Sequence, residues 1–143
     1  MKPTPEHVKS RPAWPQGRPD CTLRLRGGIG APAAARNAIK ARLRECLGPE
    51  RGEHALLLIS ELVTNAVRHG GASDGEDEVL IRLAFADGGY FEVCDAGPGF
   101  DAPDSPQARP EGGGMGLMLL NRMSRSWGVR FEDGACVWFE LDC

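Results

Sequence analysis

The sequence has no excess of basic charge: 17 Lys and Arg stand against 20 Asp and Glu, for a formal net charge of -3. It therefore lacks the electrostatic footprint of a protein that binds nucleic acid directly or lies on an anionic membrane. No apolar run approaches the ~20 residues needed to span a bilayer. Met1-Lys2-Pro3-Thr4-Pro5 leads into no apolar stretch of the signal-peptide kind. A cytoplasmic location is the default expectation. There is no C-x-x-C pair, and the five cysteines, Cys21, Cys46, Cys94, Cys136 and Cys143, are odd in number. That supports neither a zinc centre nor a disulfide framework, so all five are expected as reduced thiols. No Gly-Lys-Ser/Thr follows a glycine cluster, which excludes a P-loop.

What is present fits one domain. The chain has 143 residues, 41% of them hydrophobic, enough for a sizeable core. Residues 1–20 carry Pro3, Pro5, Pro12, Pro15 and Pro19. Proline at that density opposes helix and ladder pairing, so a disordered tail is expected; Trp14 is its one sticky residue, either loose with the tail or docked on the domain or a partner. The domain is expected over 21–143. Cys21–Arg26 alternates like an edge strand. Gly27-Gly28-Ile29-Gly30 leads to Pro32 and a helix over 33–47. The glycine spacing there falls short of a dinucleotide fingerprint, because the third glycine is missing and no parallel βαβ unit follows. Gly48-Pro49 ends that helix, and a second runs from about 50 to 69. Strands over 78–85 and 90–95 flank a hairpin turn at Asp87-Gly88-Gly89. Residues 98–111 contain four prolines and no periodicity, as expected of a lid. A helix over 117–124 and strands over 126–131 and 136–142 complete the chain.

Chemistry concentrates at three places. On the second helix Ala55, Ile59, Leu62 and Ala66 form one apolar stripe at about 100° per residue. Glu61 and Asn65 stack beside it, one turn apart, at the rim of the core. A rim carboxylate next to an amide suits a hydrated divalent cation and a nucleophile, although such pairs also occur as plain surface features. Asp95 sits where a strand breaks into Gly97-Pro98-Gly99-Phe100. A carboxylate there can accept the exocyclic amine of adenine, and the glycines let a flat base approach the backbone. Gly112-Gly113-Gly114-Met115-Gly116-Leu117 opens a helix. Bare amides at a helix start favour phosphate.

In order and spacing these segments resemble the boxes of the GHKL ATP-binding superfamily, the gyrase, histidine-kinase and mismatch-repair type ATPases. The N box is Glu61-Leu62-Val63-Thr64-Asn65-Ala66-Val67-Arg68-His69-Gly70, and the two glycine boxes are residues 95–100 and 112–117. The chain looks closest to the short bacterial anti-sigma-factor serine kinases, which share the E-L/A-V-T-N-A form and a closing strand like Val137-Trp138-Phe139. The resemblance implies a two-layer α/β sandwich of the Bergerat type, with a mixed, mostly antiparallel sheet, helices on one face and an ATP lid. It implies ATP and Mg2+, with Asn65 as the metal ligand and Glu61 as the catalytic base. Asp95, Gly97 and Gly99 would hold adenine. Gly112, Gly113, Gly114, Met115, Gly116 and Leu117 would line the phosphates. Arg109 either reaches a terminal phosphate or is a solvated lid charge. His69 either caps the N box or is a packed helix-end residue. The implied activity is a serine/threonine protein kinase that phosphorylates an anti-anti-sigma (STAS-type) protein and sequesters a sigma factor, with homodimerisation expected. The alternative is a non-catalytic, nucleotide-gated binding module. Relatives usually place a threonine near the start of the last strand to help hold adenine. Here Ala135 or Cys136 occupies that place.

Overall fold

The computed structural model describes residues 7–8, 13–69, 77–95, 115–130 and 135–142, with backbone alone for 7–8, 69 and 115–117. Strand β1 is His7–Val8, β2 is Cys21–Arg26, β3 is Glu78–Phe85, β4 is Gly88–Asp95, β5 is Ser126–Arg130 and β6 is Ala135–Asp142. Helix α1 is Ala31–Leu47, α2 is Pro49–His69 and α3 is Met115–Met123. The strands form one sheet in the order β1-β5-β6-β4-β3-β2. Every pairing is antiparallel except the short parallel contact of β1 with β5. The expected mixed, mostly antiparallel sheet with helices on one face is what forms. No helix among the described residues is long and apolar enough to cross a membrane.

The helices follow from their sequences. Pro32 sits in the first turn of α1, where its missing N–H is no loss. Ala35, Ile39 and Leu43 recur every fourth residue and are all buried. Gly48 closes α1 at φ 88°, a left-handed conformation that favours glycine, and its N–H bonds the Arg44 carbonyl at 2.9 Å. The expected α2 stripe is all buried, Ala55, Ile59, Leu62 and Ala66 each at 4% exposure or less. It packs with α1 and one face of the sheet in a single core that includes Val79, Ile81, Leu83, Phe91, Val93, Val137 and Phe139.

Gly89 places a further constraint on that core. A Cβ built there would collide with the ring of Phe91, two residues along the same face of β4. Phe91 is fully buried and has Phe139 at 4.9 Å and Phe85 at 6.0 Å between ring centroids. The ring has nowhere to go, so Gly89→Ala is expected to lower stability by about 1–3 kcal/mol, the usual range for overpacking. Urea unfolding monitored by circular dichroism measures it, and an unchanged midpoint would mean the ring can move.

The opposite face is also covered. A half-solvated sheet would alternate polar and apolar residues, yet β4 is buried on both faces along nearly its whole length. Tyr90 stacks parallel to Trp138 at 6.0 Å, and Trp14 meets Tyr90 edge-on at 4.7 Å. Trp14, expected in a loose tail, thus packs onto the helix-free face, and residues 15–17 form a 3-10 turn beside it. Asp20 Oδ2 accepts the Phe85 N–H at 2.8 Å. The reason is an aromatic pair on the sheet whose burial outweighs the proline-rich character of the segment.

The same face corrects the reading of the cysteines. Cys94 and Cys136 stand directly opposite each other in the β4–β6 register and are joined by a disulfide. Cys21 and Cys46 are free thiols. Cysteine spacing along the chain carries no trace of this pair, because strand register, not sequence distance, brings the two sulfurs together.

Candidate functional site

The end of α2 and the end of β4 supply the described part of the site. Within α2 the hydroxyl of Ser60 bonds the Leu56 carbonyl at 2.7 Å and that of Thr64 bonds the Ser60 carbonyl at 2.8 Å. Both hydroxyls are thereby satisfied along the helix itself. Arg36 of α1 donates to the Ser60 hydroxyl at 3.3 Å and ties the two helices together. Glu61 is half-buried, at the rim as expected, and Arg68 is exposed. Asn65 lies deeper than the rim, 5% exposed, and its Nδ2 is buried with no hydrogen-bond partner among the described residues.

That orphaned end is the most informative local feature. A buried amide group without a partner costs about 1–3 kcal/mol. The two ends of a carboxamide have nearly the same shape, so either can face the gap. With its oxygen there Asn65 suits a divalent cation, and with its nitrogen there it suits a phosphate oxygen or water. Magnesium takes oxygen ligands and keeps several waters, so a single carboxamide beside substrate phosphates is a sufficient protein contribution. The residues present therefore fit the group.

Asp95 is the last residue of β4 and 7% exposed. Its neighbours in register are Val79 of β3 and Ala135 of β6. Side chains alternate along a strand, so Asp95 shares the helix-covered face with Phe91 and Val93. The register also decides which residue holds the place expected of a threonine. Ala135 stands beside Asp95 on that face, whereas Cys136 is turned to the other face and bound to Cys94. The side chain next to Asp95 is thus a methyl group, with no hydroxyl to donate or accept.

Gly97, Gly99, Arg109, Gly112, Gly113 and Gly114 lie outside the described residues. Met115, Gly116 and Leu117 form the first turn of α3, so the helix starts two residues before the expected Leu117. The structure thus places Asn65 near the end of α2 and Asp95 at the end of β4, in the helix layer and the sheet it packs against. The glycine boxes remain expectations drawn from the sequence. Sequence reasoning passed over Glu92, which is fully buried on the helix-free face. Arg82 meets its Oε1 at 2.8 Å, and Arg130 meets Oε1 at 3.0 Å and Oε2 at 3.3 Å. The signal was available: a charged residue in the middle of an otherwise apolar strand needs partners of opposite charge on both flanks.

An open, mostly antiparallel sheet backed by helices on one face, with an amide-bearing helix and an acid-terminated strand in adjoining layers, defines a nucleotide-binding α/β domain. The chain belongs to the histidine kinase-like ATPase domain family, which matches residues 30–141. Family membership implies ATP binding. Among solved structures the chain is similar in fold to the Erythrobacter litoralis EL346 blue-light activated histidine kinase, at 20% identity and a TM-score of 0.52. The match covers 76% of this chain and 40% of that one, so the chain spans less than half of that kinase. A comparison with curated proteins found no match.

Proposed function

We propose that this domain is an ATP-dependent serine/threonine kinase that phosphorylates a small anti-anti-sigma (STAS-type) protein and sequesters a sigma factor. The observation that carries the reading is Asn65, a buried carboxamide with an unpartnered end, one helical turn from the half-buried carboxylate of Glu61. The E-L-V-T-N-A form of the helix and the Val137-Trp138-Phe139 strand support the anti-sigma type. Asn65 would hold magnesium, which supplies charge neutralisation for the phosphates of bound ATP. Asp95 would accept the amine of adenine. Glu61 would take the proton of the serine or threonine hydroxyl as its oxygen bonds the γ-phosphorus and the bond to the β–γ bridging oxygen breaks, releasing ADP.

The test is transfer of labelled γ-phosphate to a purified STAS-domain protein from the same organism. Glu61→Ala is expected to reduce the rate by about 10²–10⁴-fold, the usual contribution of a general base. Equal transfer by both proteins would remove Glu61 from that role. One observation favours a second reading, a non-catalytic binding module that responds to nucleotide. Ala135 supplies no hydroxyl next to Asp95, and one missing hydrogen bond weakens binding by about fivefold to tenfold. Stoichiometric ATP binding by the wild type without any transfer would establish that alternative.

A further inference from the structure

The helix-free face carries a reactive pair for which the kinase reading has no use. Asp95 ends β4 and Ala135 begins β6, so Cys94 and Cys136 each lie one residue inside the point where its strand stops. The stretch 96–134 leaves from one strand and returns to the other. The disulfide therefore ties the two strands together one residue away from Asp95 and its neighbour Ala135.

Two features mark the bond as reversible rather than as a fixed staple. Strand ends open more readily than strand centres, so the buried sulfurs, at 8% and 3% residue exposure, can be reached without global unfolding. Charge is placed asymmetrically around them. Arg130 stands opposite Cys136 in the β5–β6 register, while Glu92 Oε1 lies 3.4 Å from Cys94 Sγ. Arg130, although itself bound to Glu92, puts positive charge opposite Cys136, and a carboxylate oxygen suits the S–H of Cys94 as its acceptor.

We propose that Cys94 and Cys136 form a thiol–disulfide switch acting on the nucleotide site, with a low-molecular-weight disulfide such as glutathione disulfide as oxidant. The thiolate of Cys136 attacks one glutathione sulfur and expels glutathione thiolate. Cys94 loses its proton and attacks the sulfur of Cys136, expelling the second glutathione. Two protein thiols are oxidised and one small disulfide is reduced to two thiols. Oxidation fixes the strand ends and with them the carboxylate of Asp95, and reduction loosens both. A metal on Glu92, Cys94 and Cys136, whose ligand atoms lie within 4.8 Å of one another, is the weaker use of the cluster. Both oxygens of Glu92 are already engaged by Arg82 and Arg130.

The effect on affinity rests on the assignment of Asp95 to adenine, whereas the thiol chemistry does not. The experiment uses the full chain with Cys21→Ser, Cys46→Ser and Cys143→Ser, treated with glutathione disulfide or with dithiothreitol. Alkylation and intact mass count the free thiols, and calorimetry with ATP and magnesium gives the affinity. Two thiols are expected to disappear and return reversibly, with ATP bound about tenfold more tightly by the oxidised form, within the usual span of coupling between sites. Adding Cys94→Ala and Cys136→Ala should fix the affinity at the reduced value under both treatments. Equal ATP affinity in the two forms would overturn the switch. So would thiols that glutathione disulfide leaves untouched, or a reduced protein that retains one zinc through Glu92. If neither form binds ATP while the thiols still cycle, the nucleotide reading fails together with the coupling, and the thiol count tells that failure apart from the others.

Discussion

Asp95→Asn is expected to weaken ATP binding by about 30-fold to 150-fold, the equivalent of about 2–3 kcal/mol. The carboxylate is nearly buried at a strand end and flanked in register by two side chains, Val79 and Ala135, that cannot form hydrogen bonds. Neither of these register neighbours can take over the role of acceptor for the adenine amine. Asparagine keeps the shape but removes the charge, and half of its orientations aim an N–H at the incoming N–H. Hydrogen bonds to charged groups contribute more than neutral ones, and a buried donor left unpaired costs further. Isothermal calorimetry with magnesium present measures the change. Inosine triphosphate, with an acceptor oxygen in place of the amine, is the informative comparison. Its binding should not fall in the variant, because asparagine can donate where aspartate cannot. Unchanged ATP affinity in Asp95→Asn would remove this residue from the base pocket. An unchanged urea midpoint separates a local loss from misfolding.

The periodic elements were legible because local physics sets them. The α2 stripe and the edge character of β2 follow from the helical period of 3.6 and the strand period of 2. The family resemblance rested on residue types at fixed spacing and needed no tertiary contact. The features that could not be read depend on how strands slide past each other. A shift of one residue flips a side chain to the other face. That is why Ala135 and Cys136 could not be told apart as the neighbour of Asp95. It is also why Cys94 and Cys136, separated by 42 residues, gave no sign of pairing. Trp14 escaped for a related reason. Its partners, Tyr90 and Trp138, become one patch only when β4 and β6 pair. Deeper burial of Asn65 than of Glu61, with its unpartnered nitrogen, is likewise a product of packing rather than of helix phase.

Glu92→Ala is expected to be among the most destabilising single changes in the chain, at about 3–5 kcal/mol, the range for breaking a buried ion pair from one side. Glu92 is wholly buried in β4, and the side chains of Arg82 and Arg130 retain 28% and 15% exposure. One carboxylate thus holds two guanidiniums, one from the adjacent strand β3 and one from β5, which lies beyond β6 in the sheet. Its removal leaves two like charges near each other, with little water to replace the lost partner. Arg82 can turn outward more easily than Arg130, so Arg130→Met should restore more of the lost stability than Arg82→Met. Replacing all three residues by apolar ones, as in Glu92→Leu, Arg82→Leu and Arg130→Met, should come within about 1–2 kcal/mol of the wild type, since desolvation offsets much of what an intact buried pair contributes. Urea denaturation of the single, double and triple variants separates the cost of an orphaned charge from the net value of the cluster. A loss below about 1 kcal/mol for Glu92→Ala, the level of an exposed pair, would mean that water reaches this face. The same result would count against the closed packing of Trp14, Tyr90 and Trp138 beside it.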